Sequence, residues 1–272
     1  MVSNSYSTIK VFPFYYKKTP ILIENETYHP IMAGKIYVDN NNEIQGDDTM
    51  DNISDKNKHY SELTGLYWVW KNTNQDIIGS CHYRRYFSSK PEPFIYKLKR
   101  LLYIPIGIYK KRYGLIYTNN TSYFLPRIIN REEIEVLMNE YDAILPKARK
   151  LKYTVEEHYR RYHNINDLKI VESILSQKYP DYVDSFHTLL KSKRLYANNM
   201  FILRNNHFQE FMAWLFDIIF EFEKQVDMNQ YKGYQERIIG FIAERLLSLW
   251  FIKNRLSVVE LPVIYFKKQK QL

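Results

Sequence analysis

Cysteine is nearly absent from this chain of 272 residues: Cys81 stands alone, which excludes an internal disulfide and leaves no basis for a cysteine-built zinc site. Long apolar runs are missing too. No stretch approaches the eighteen or so uninterrupted apolar residues that a membrane-spanning helix needs. The opening MVSNSYSTIK lacks the apolar centre of a secretory signal, so the expected location is the cytoplasm. No internal repeat and no known nucleic-acid-binding motif occurs. Glycine is scarce at 8 residues, against 25 tyrosines.

What is present is positive charge and aromatic surface. The net charge of +9 attracts polyanions: nucleic acid, anionic lipid or phosphorylated substrates. Tyrosine offers an apolar ring with a polar tip, suited to sugar stacking and to membrane interfaces. A coding composition that favours Lys, Asn, Tyr and Ile accounts for both excesses equally well. The 45% hydrophobic and 25% charged content is that of an ordinary globular protein, long enough to bury a sizeable core.

The chain alternates strand and helix patterns. TIKVFPF (Thr8 to Phe14) reads as a first strand with Pro13 near its exit, and a polar loop follows from Asn40 to Lys58. Leu63, Leu66, Tyr67 and Trp70 recur at helical spacing. DIIGSCHY (Asp76 to Tyr83) reads as a buried strand, so strand, helix and strand predict a crossover unit in a largely parallel sheet. Residues 88 to 125 form a basic, aromatic insertion. Lys97, Lys99, Arg100, Lys110, Lys111 and Arg112 are set there among Phe94, Tyr96, Tyr103 and Tyr109. YDAILP (Tyr141 to Pro146) and MFILR (Met200 to Arg204) read as strands. Thr154 and Glu157 form a capping box, and helices are expected over 166–178, 181–191, from Asn206 and over 234–254. Ser257 to Phe266 closes as a strand.

Four constellations carry chemistry. GDDTMDNIS places Asp47, Asp48, Asp51 and Asn52 in one loop, which suits a divalent cation or sugar hydroxyls, and equally an ordinary solvated turn. HYRRYF puts His82, Tyr83, Arg84 and Arg85 at the carboxyl end of the buried strand, where open sheets bind ligands. Adjacent guanidiniums match phosphate oxygens in a fork; the alternative is two arginines pointing apart, one paired with a core carboxylate and one in water. His163 and Asp167 are four apart and share a face if their helix runs unbroken, as a proton-transfer pair or a structural one. Arg237, Phe241 and Glu244 share a face of the last helix, with Glu244 either a base or the partner of Arg237 or Arg245.

Eight blocks in order resemble a bacterial family of capsular or exopolysaccharide biosynthesis proteins whose glycosyltransferase-like domain was long described as of unknown function. They are YHPIMAG (Tyr28 to Gly34), GDDTMDNIS (Gly46 to Ser54), ELTGLYWVWKN (Glu62 to Asn72), IIGSCHYRRYF (Ile77 to Phe87), YDAILP, HYRRYHNINDL (from His158), NNMFILR (Asn198 to Arg204) and ERIIGFIAERLLSLW (from Glu236). The chain departs from the family at Tyr16, which precedes Lys17 where His is usual, and at Met50, where Gly is usual.

The resemblance implies an α/β, glycosyltransferase-A-like single domain over residues 1–272, with a mostly parallel central sheet flanked by helices and a helical insertion at 88–125. It implies sugar transfer from a nucleotide diphospho-sugar to a growing capsular or cell-surface glycan, free or lipid-linked, with UDP-galactose or UDP-galactofuranose the first donor to test. Related folds carry Asp-x-Asp where this chain has HYRRY. Arg84 and Arg85, with His82 and Tyr83, are therefore expected to replace a metal as counter-charge, so that no cofactor is required. Asp47, Asp48 and Asn52 are expected to hold donor hydroxyls, with a divalent metal at Asp47 and Asp48 as the fallback. Glu244, His163 and Asp167 are the candidate bases. The rivals are a sugar-phosphate transferase and a basic nucleic-acid-binding protein. Peripheral contact with the inner membrane face is a further expectation.

Overall fold

The structure, a computed structural model, describes residues 8–38, 44–103 and 115–267, with side chains described up to residue 98 in the second span. Tyr109, Lys110, Lys111 and Arg112 of the basic stretch, and residues 39–43 of the polar loop, lie outside the described residues.

The strands are β1 (Ile9–Tyr15), β2 (Ile31–Met32), β3 (Gln45–Gly46), β4 (Ile77–His82), β5 (Arg85–Phe87), β6 (Leu115–Thr118), β7 (Ala143–Pro146), β8 (Arg149–Lys150), β9 (Arg194–Leu195), β10 (Phe201–Arg204), β11 (Val258–Leu261) and β12 (Val263–Phe266). The helices are α1 (Asn57–Tyr60), α2 (Leu63–Asn72), α3 (Phe94–Tyr103), α4 (Thr121–Phe124), α5 (Arg131–Glu140), α6 (Val155–Tyr162), α7 (Asn166–Lys178), α8 (Val183–Lys191), α9 (Asn205–Gln225) and α10 (Ile238–Asn254).

The main sheet runs β11-β7-β10-β4-β1-β2-β3, and along this path only β10 opposes the other strands. From β4, the antiparallel β5 leads to β12 and on to β6. β8 and β9 form a separate antiparallel pair. The α/β class and the mainly parallel sheet are thus as expected. The chain leaves β1 toward β2 and β3 on one side, then returns to β4 on the other. Such a reversal opens a crevice beyond the carboxyl ends of β1 and β4.

Strand alternation divides the core between the two faces of the sheet. Phe12, Phe14, Ile78, Leu145, Phe201 and Leu203 face the layer of α2 and α6–α10. Ile9, Val11, Ile77, Ile144 and Ile202 face the smaller layer of β5, β6, β12, α4 and α5. Gly65 of α2 touches the ring of Phe14; a Cβ there would lie 2.5 Å from it, so α2 presses flat onto the end of β1. That close approach brings the amino end of α2 over the crevice.

Pro13 lies inside β1, near its exit as expected. Residues 11 and 15 bond toward the β2 side, where Thr27, His29 and Ala33 meet them, and Pro13 shares that side before β2 begins. The missing N–H therefore breaks no rung with β4. The closing strand is two strands split at Pro262, so that β12 leaves β7's side of the sheet to pair with β5 and β6. The expected helical insertion is only partly helical: it gives α3 and α4 but also β6, which joins the sheet through β12.

Met50 has φ of 53° and is 75% exposed, so it holds the left-handed conformation without burying its side chain. That explains why glycine suits this position. Met50→Gly should stabilise the protein by about 1 kcal/mol, raising the melting temperature by roughly 2 °C in a thermal melt.

Candidate functional site

At the crevice lies a cavity of about 410 Å³, built from five pieces of chain. Phe14, Tyr15 and Tyr16 come from the end of β1, and Ala33 from the turn after β2. Asn57, Lys58, Ser61 and Glu62 come from α1 and the start of α2. His82, Arg84 and Arg85 come from the β4–β5 corner, and Glu236 and Arg237 from the 3-10 turn Gly233–Arg237 that leads into α10.

Arg84 and Arg85 are half-buried and line the same cavity. The Nε of each is buried with no hydrogen-bond partner among the described residues. What holds them is aromatic: both guanidiniums lie over the Tyr265 ring of β12, at 5.3 and 5.1 Å, and Arg84 also over Tyr83 at 4.9 Å. Ring faces attract a cation without neutralising it, so the positive field stays available to a ligand. Burial lowers the Arg85 guanidinium from its usual value, but guanidinium remains charged.

His82 is the neutral member of the corner. Burial holds its imidazole well below the usual value, and Arg85, Arg84 and Arg237 add to the effect. Its Nδ1 accepts the Arg84 backbone N–H at 3.3 Å, which leaves the ring proton on Nε2 as a donor. Tyr83 is buried beneath the corner, edge-on to Tyr16 with ring centroids 5.4 Å apart. Tyr16 is itself half-exposed in the cavity wall.

Opposite the arginines sits Glu62, which sequence reasoning did not single out. Its Oε1 accepts from the Asn199 side chain at 2.8 Å, and its Oε2 lies 3.7 Å from Arg237. Arg237 also donates to Ser61 Oγ at 3.0 Å. The backbone is strained around this carboxylate: Ser61 has φ 53° and ψ −131°, and Asn198 and Asn199 have φ of 77° and 48°. Consecutive non-glycine residues in such conformations persist where the surroundings over-determine them. In sequence Glu62 reads as an ordinary acid before an apolar helix. The pairing that marks it comes from Asn199, far along the chain.

The other sequence candidates lie elsewhere. Asp47 is fully buried: its Oδ2 accepts the Gly34 N–H, and its Oδ1 accepts the Lys35 N–H and the Ser54 hydroxyl. Both oxygens are thus engaged in holding the turn that carries Ala33 to the cavity. Asp48 and Asn52 are exposed, and Asn52 bridges Met50 O and Ser54 N within the loop. The loop does not fit a metal site on these bonds, and no group of three or more potential metal ligands gathers among the described residues.

His163 and Asp167 do not share a helix face. α6 ends at Tyr162, His163 is extended, and a new helix begins at Asn166. Asp167 is 1% exposed and accepts the hydroxyls of Tyr159 and Tyr231 at 3.0 and 2.6 Å. His163 bonds Gln235 at 2.9 Å and packs on Phe241. Glu244 lies outside the cavity lining: its Oε1 accepts Asn198 N–H at 2.7 Å and its Oε2 pairs with buried Arg245 at 3.2 Å. Of its two expected partners, Arg245 is the one engaged; Arg237 turns to Ser61 and Glu62.

With this geometry in place, comparison with known proteins is informative. A solved structure of WbbM, described as a bifunctional glycosyltransferase in its apo form, aligns with a TM-score of 0.81 and 30% identity. The match covers 96% of this chain and 46% of that one, so this chain spans less than half of WbbM. A comparison with curated proteins gives no match. No helix among the described residues is long and apolar enough to cross a membrane. The family model described as a domain of unknown function, DUF4422, matches residues 10–255, and the chain belongs to that family.

Proposed function

We propose that this protein is a glycosyltransferase that takes a nucleotide diphospho-sugar in the β1–β4 crevice and passes the sugar to a glycan hydroxyl. The observation that carries this reading is the Arg84–Arg85 corner: two half-buried guanidiniums whose buried Nε groups lack a partner among the described residues, at a strand end, facing a cavity large enough for a ligand. A diphosphate supplies the missing counter-charge in a fork geometry that guanidinium matches. The likeness to a glycosyltransferase structure supports the same class of chemistry.

The roles follow from position. As the glycosidic bond breaks, negative charge grows on the leaving diphosphate, and positive groups already in place stabilise it without reorganisation. Arg84 and Arg85 take that part, with His82 Nε2–H as a neutral donor beside them. Glu62 is the carboxylate of the site best placed to accept a proton from the acceptor hydroxyl, held in orientation by Asn199 and Arg237. It replaces Glu244, His163 and Asp167 in that role, because each of those is engaged outside the cavity. Asp47 holds the turn that carries Ala33 to the cavity, and Asp48 and Asn52 lie outside the cavity lining. The acceptor is a cell-surface glycan, free or lipid-linked, and UDP-galactose and UDP-galactofuranose head the donor series.

A thermal-shift panel of nucleotide-sugars tests the class. At a hundred times its dissociation constant, a true donor should stabilise the protein by about 2.7 kcal/mol. No shift and no consumption across the panel would sink the assignment.

Turnover should persist in EDTA, since arginine takes the place of a metal. Arg84→Ala and Arg85→Ala should each lower kcat/KM, by roughly thirtyfold for a loss of about 2 kcal/mol, with lysine rescuing only partly. Full dependence on added manganese, with both variants near parental activity, contradicts the assignment.

Glu62→Gln keeps the shape and the Asn199 contact but removes the base. It should lower kcat by roughly a hundredfold or more while leaving donor-induced thermal shift intact. Equal kcat in parent and variant excludes Glu62 from proton transfer.

A further inference from the structure

Helix α3 is mounted the wrong way round for a soluble helix. An amphipathic helix normally turns its apolar stripe to the core. Here Phe94, Ile95 and Leu98, which share one side of the helix by their spacing, are 77%, 58% and 45% exposed. The side that meets the protein carries Tyr96, which packs edge-on against Phe124 at 5.1 Å and stacks with Tyr123 at 6.4 Å. Tyr123 is itself 47% exposed beside it. Among the side chains described in α3, those of residues 94–98, Tyr96 packs on the protein while Phe94, Ile95 and Leu98 face away from it.

Charge singles out the same segment. Residues 88–125 hold seven basic residues and one acidic residue, Glu92. That gives this stretch a net +6 of the chain's +9, so the rest of the molecule is close to neutral. The segment's positive charge is a local property of the stretch that bears the apolar stripe.

We infer that α3 is a membrane-docking helix, which lays Phe94, Ile95 and Leu98 into the surface of an anionic lipid bilayer. Interfacial helices combine exposed apolar side chains with Lys and Arg, and they need both. The apolar groups enter the boundary between headgroups and acyl chains, and the basic groups meet the negative surface potential. A nucleic acid answers the charge but offers nothing to three exposed apolar side chains. A second copy of the chain would answer the apolar stripe but repeat the positive charge. An anionic bilayer answers both. This inference stands apart from the transfer chemistry, because it concerns a surface that contributes nothing to the cavity lining.

Flotation of the full chain with vesicles of equimolar phosphatidylcholine and phosphatidylglycerol tests it. The protein should rise with these vesicles and bind pure phosphatidylcholine about tenfold less or weaker, with high salt reducing the difference. The combined Phe94→Ser, Ile95→Ser and Leu98→Ser variant should keep its melting temperature, since these side chains are exposed, and lose binding by about tenfold or more. A parent protein that stays at the bottom of the gradient, or a triple variant that floats equally well, overturns the inference.

A second measurement does not depend on that variant. Cys81 is buried, so Leu98→Cys offers one accessible thiol for an environment-sensitive dye. Its emission should shift to the blue on the anionic vesicles; an unchanged spectrum overturns docking. Two further results would do the same. One is a dimer in sedimentation that the triple variant converts to monomer; the other is tight oligonucleotide binding by a protein that does not float.

Discussion

Two positive charges at the end of β4, partly removed from water and in no ion pair among the described residues, are the constraint around which the site is arranged. Burying a charge without its partner costs several kcal/mol, so a fold retains such a pair only where something else lowers the cost. Here the rings of Tyr265 and Tyr83 do so, from β12 and from the corner itself. Aromatic faces hold a guanidinium while leaving its charge uncancelled. A carboxylate in the same place would have made a stable corner with no affinity for an anion. The same field explains His82: beside three arginines and out of water, its imidazole stays neutral and serves as a donor.

The carboxylates nearest that corner, Glu62 and Glu244, act on the Arg85 charge from a distance but are bonded elsewhere. Glu62 is drawn toward Asn199 and Arg237, and Glu244 toward Asn198 and Arg245. The left-handed turn at Asn198 and Asn199 lets one backbone N–H reach Glu244 and the next side chain reach Glu62. That turn sits just before β10, the one reversed strand of the main path, so the strained residues hold the two acids in fixed places beside the arginines.

Most of the architecture was legible because it follows from local patterns: alternation for the buried strands, helical spacing for α2 and α7–α10, and the capping box at Thr154. The corner HYRRY was legible as well, since adjacent arginines after an apolar strand have few structural uses. What escaped was set by tertiary partners or by a break in periodicity. Spacing of four suggested that His163 and Asp167 meet, but Asn164 takes the Asn166 N–H and starts a new helix between them. Asp47 looked like a ligand because carboxylates cluster in its loop; its oxygens instead close a turn on Gly34 and Lys35. Glu62 looked like a helix-start acid, and its orientation depends on a contact 137 residues away.

β5 lies between the arginine corner and the exposed stripe of α3. Its first residue is Arg85, in the cavity wall, and its last, Phe87, leads through Ser88 and the prolines toward α3. The strand is held on both sides, by β4 and by β12, and β12 also carries Tyr265 under the arginines and pairs with β6. α4, which receives Tyr96, follows directly from β6. The arginine corner and the packing site of α3 are thus built on the same three strands. A surface bound by α3 would hold the cavity at a set height and angle, whereas a docking element on a free terminus would not. For an enzyme whose acceptor is tethered to that surface, such a fixed mount converts a search in three dimensions into one in two, and it does so through packing alone.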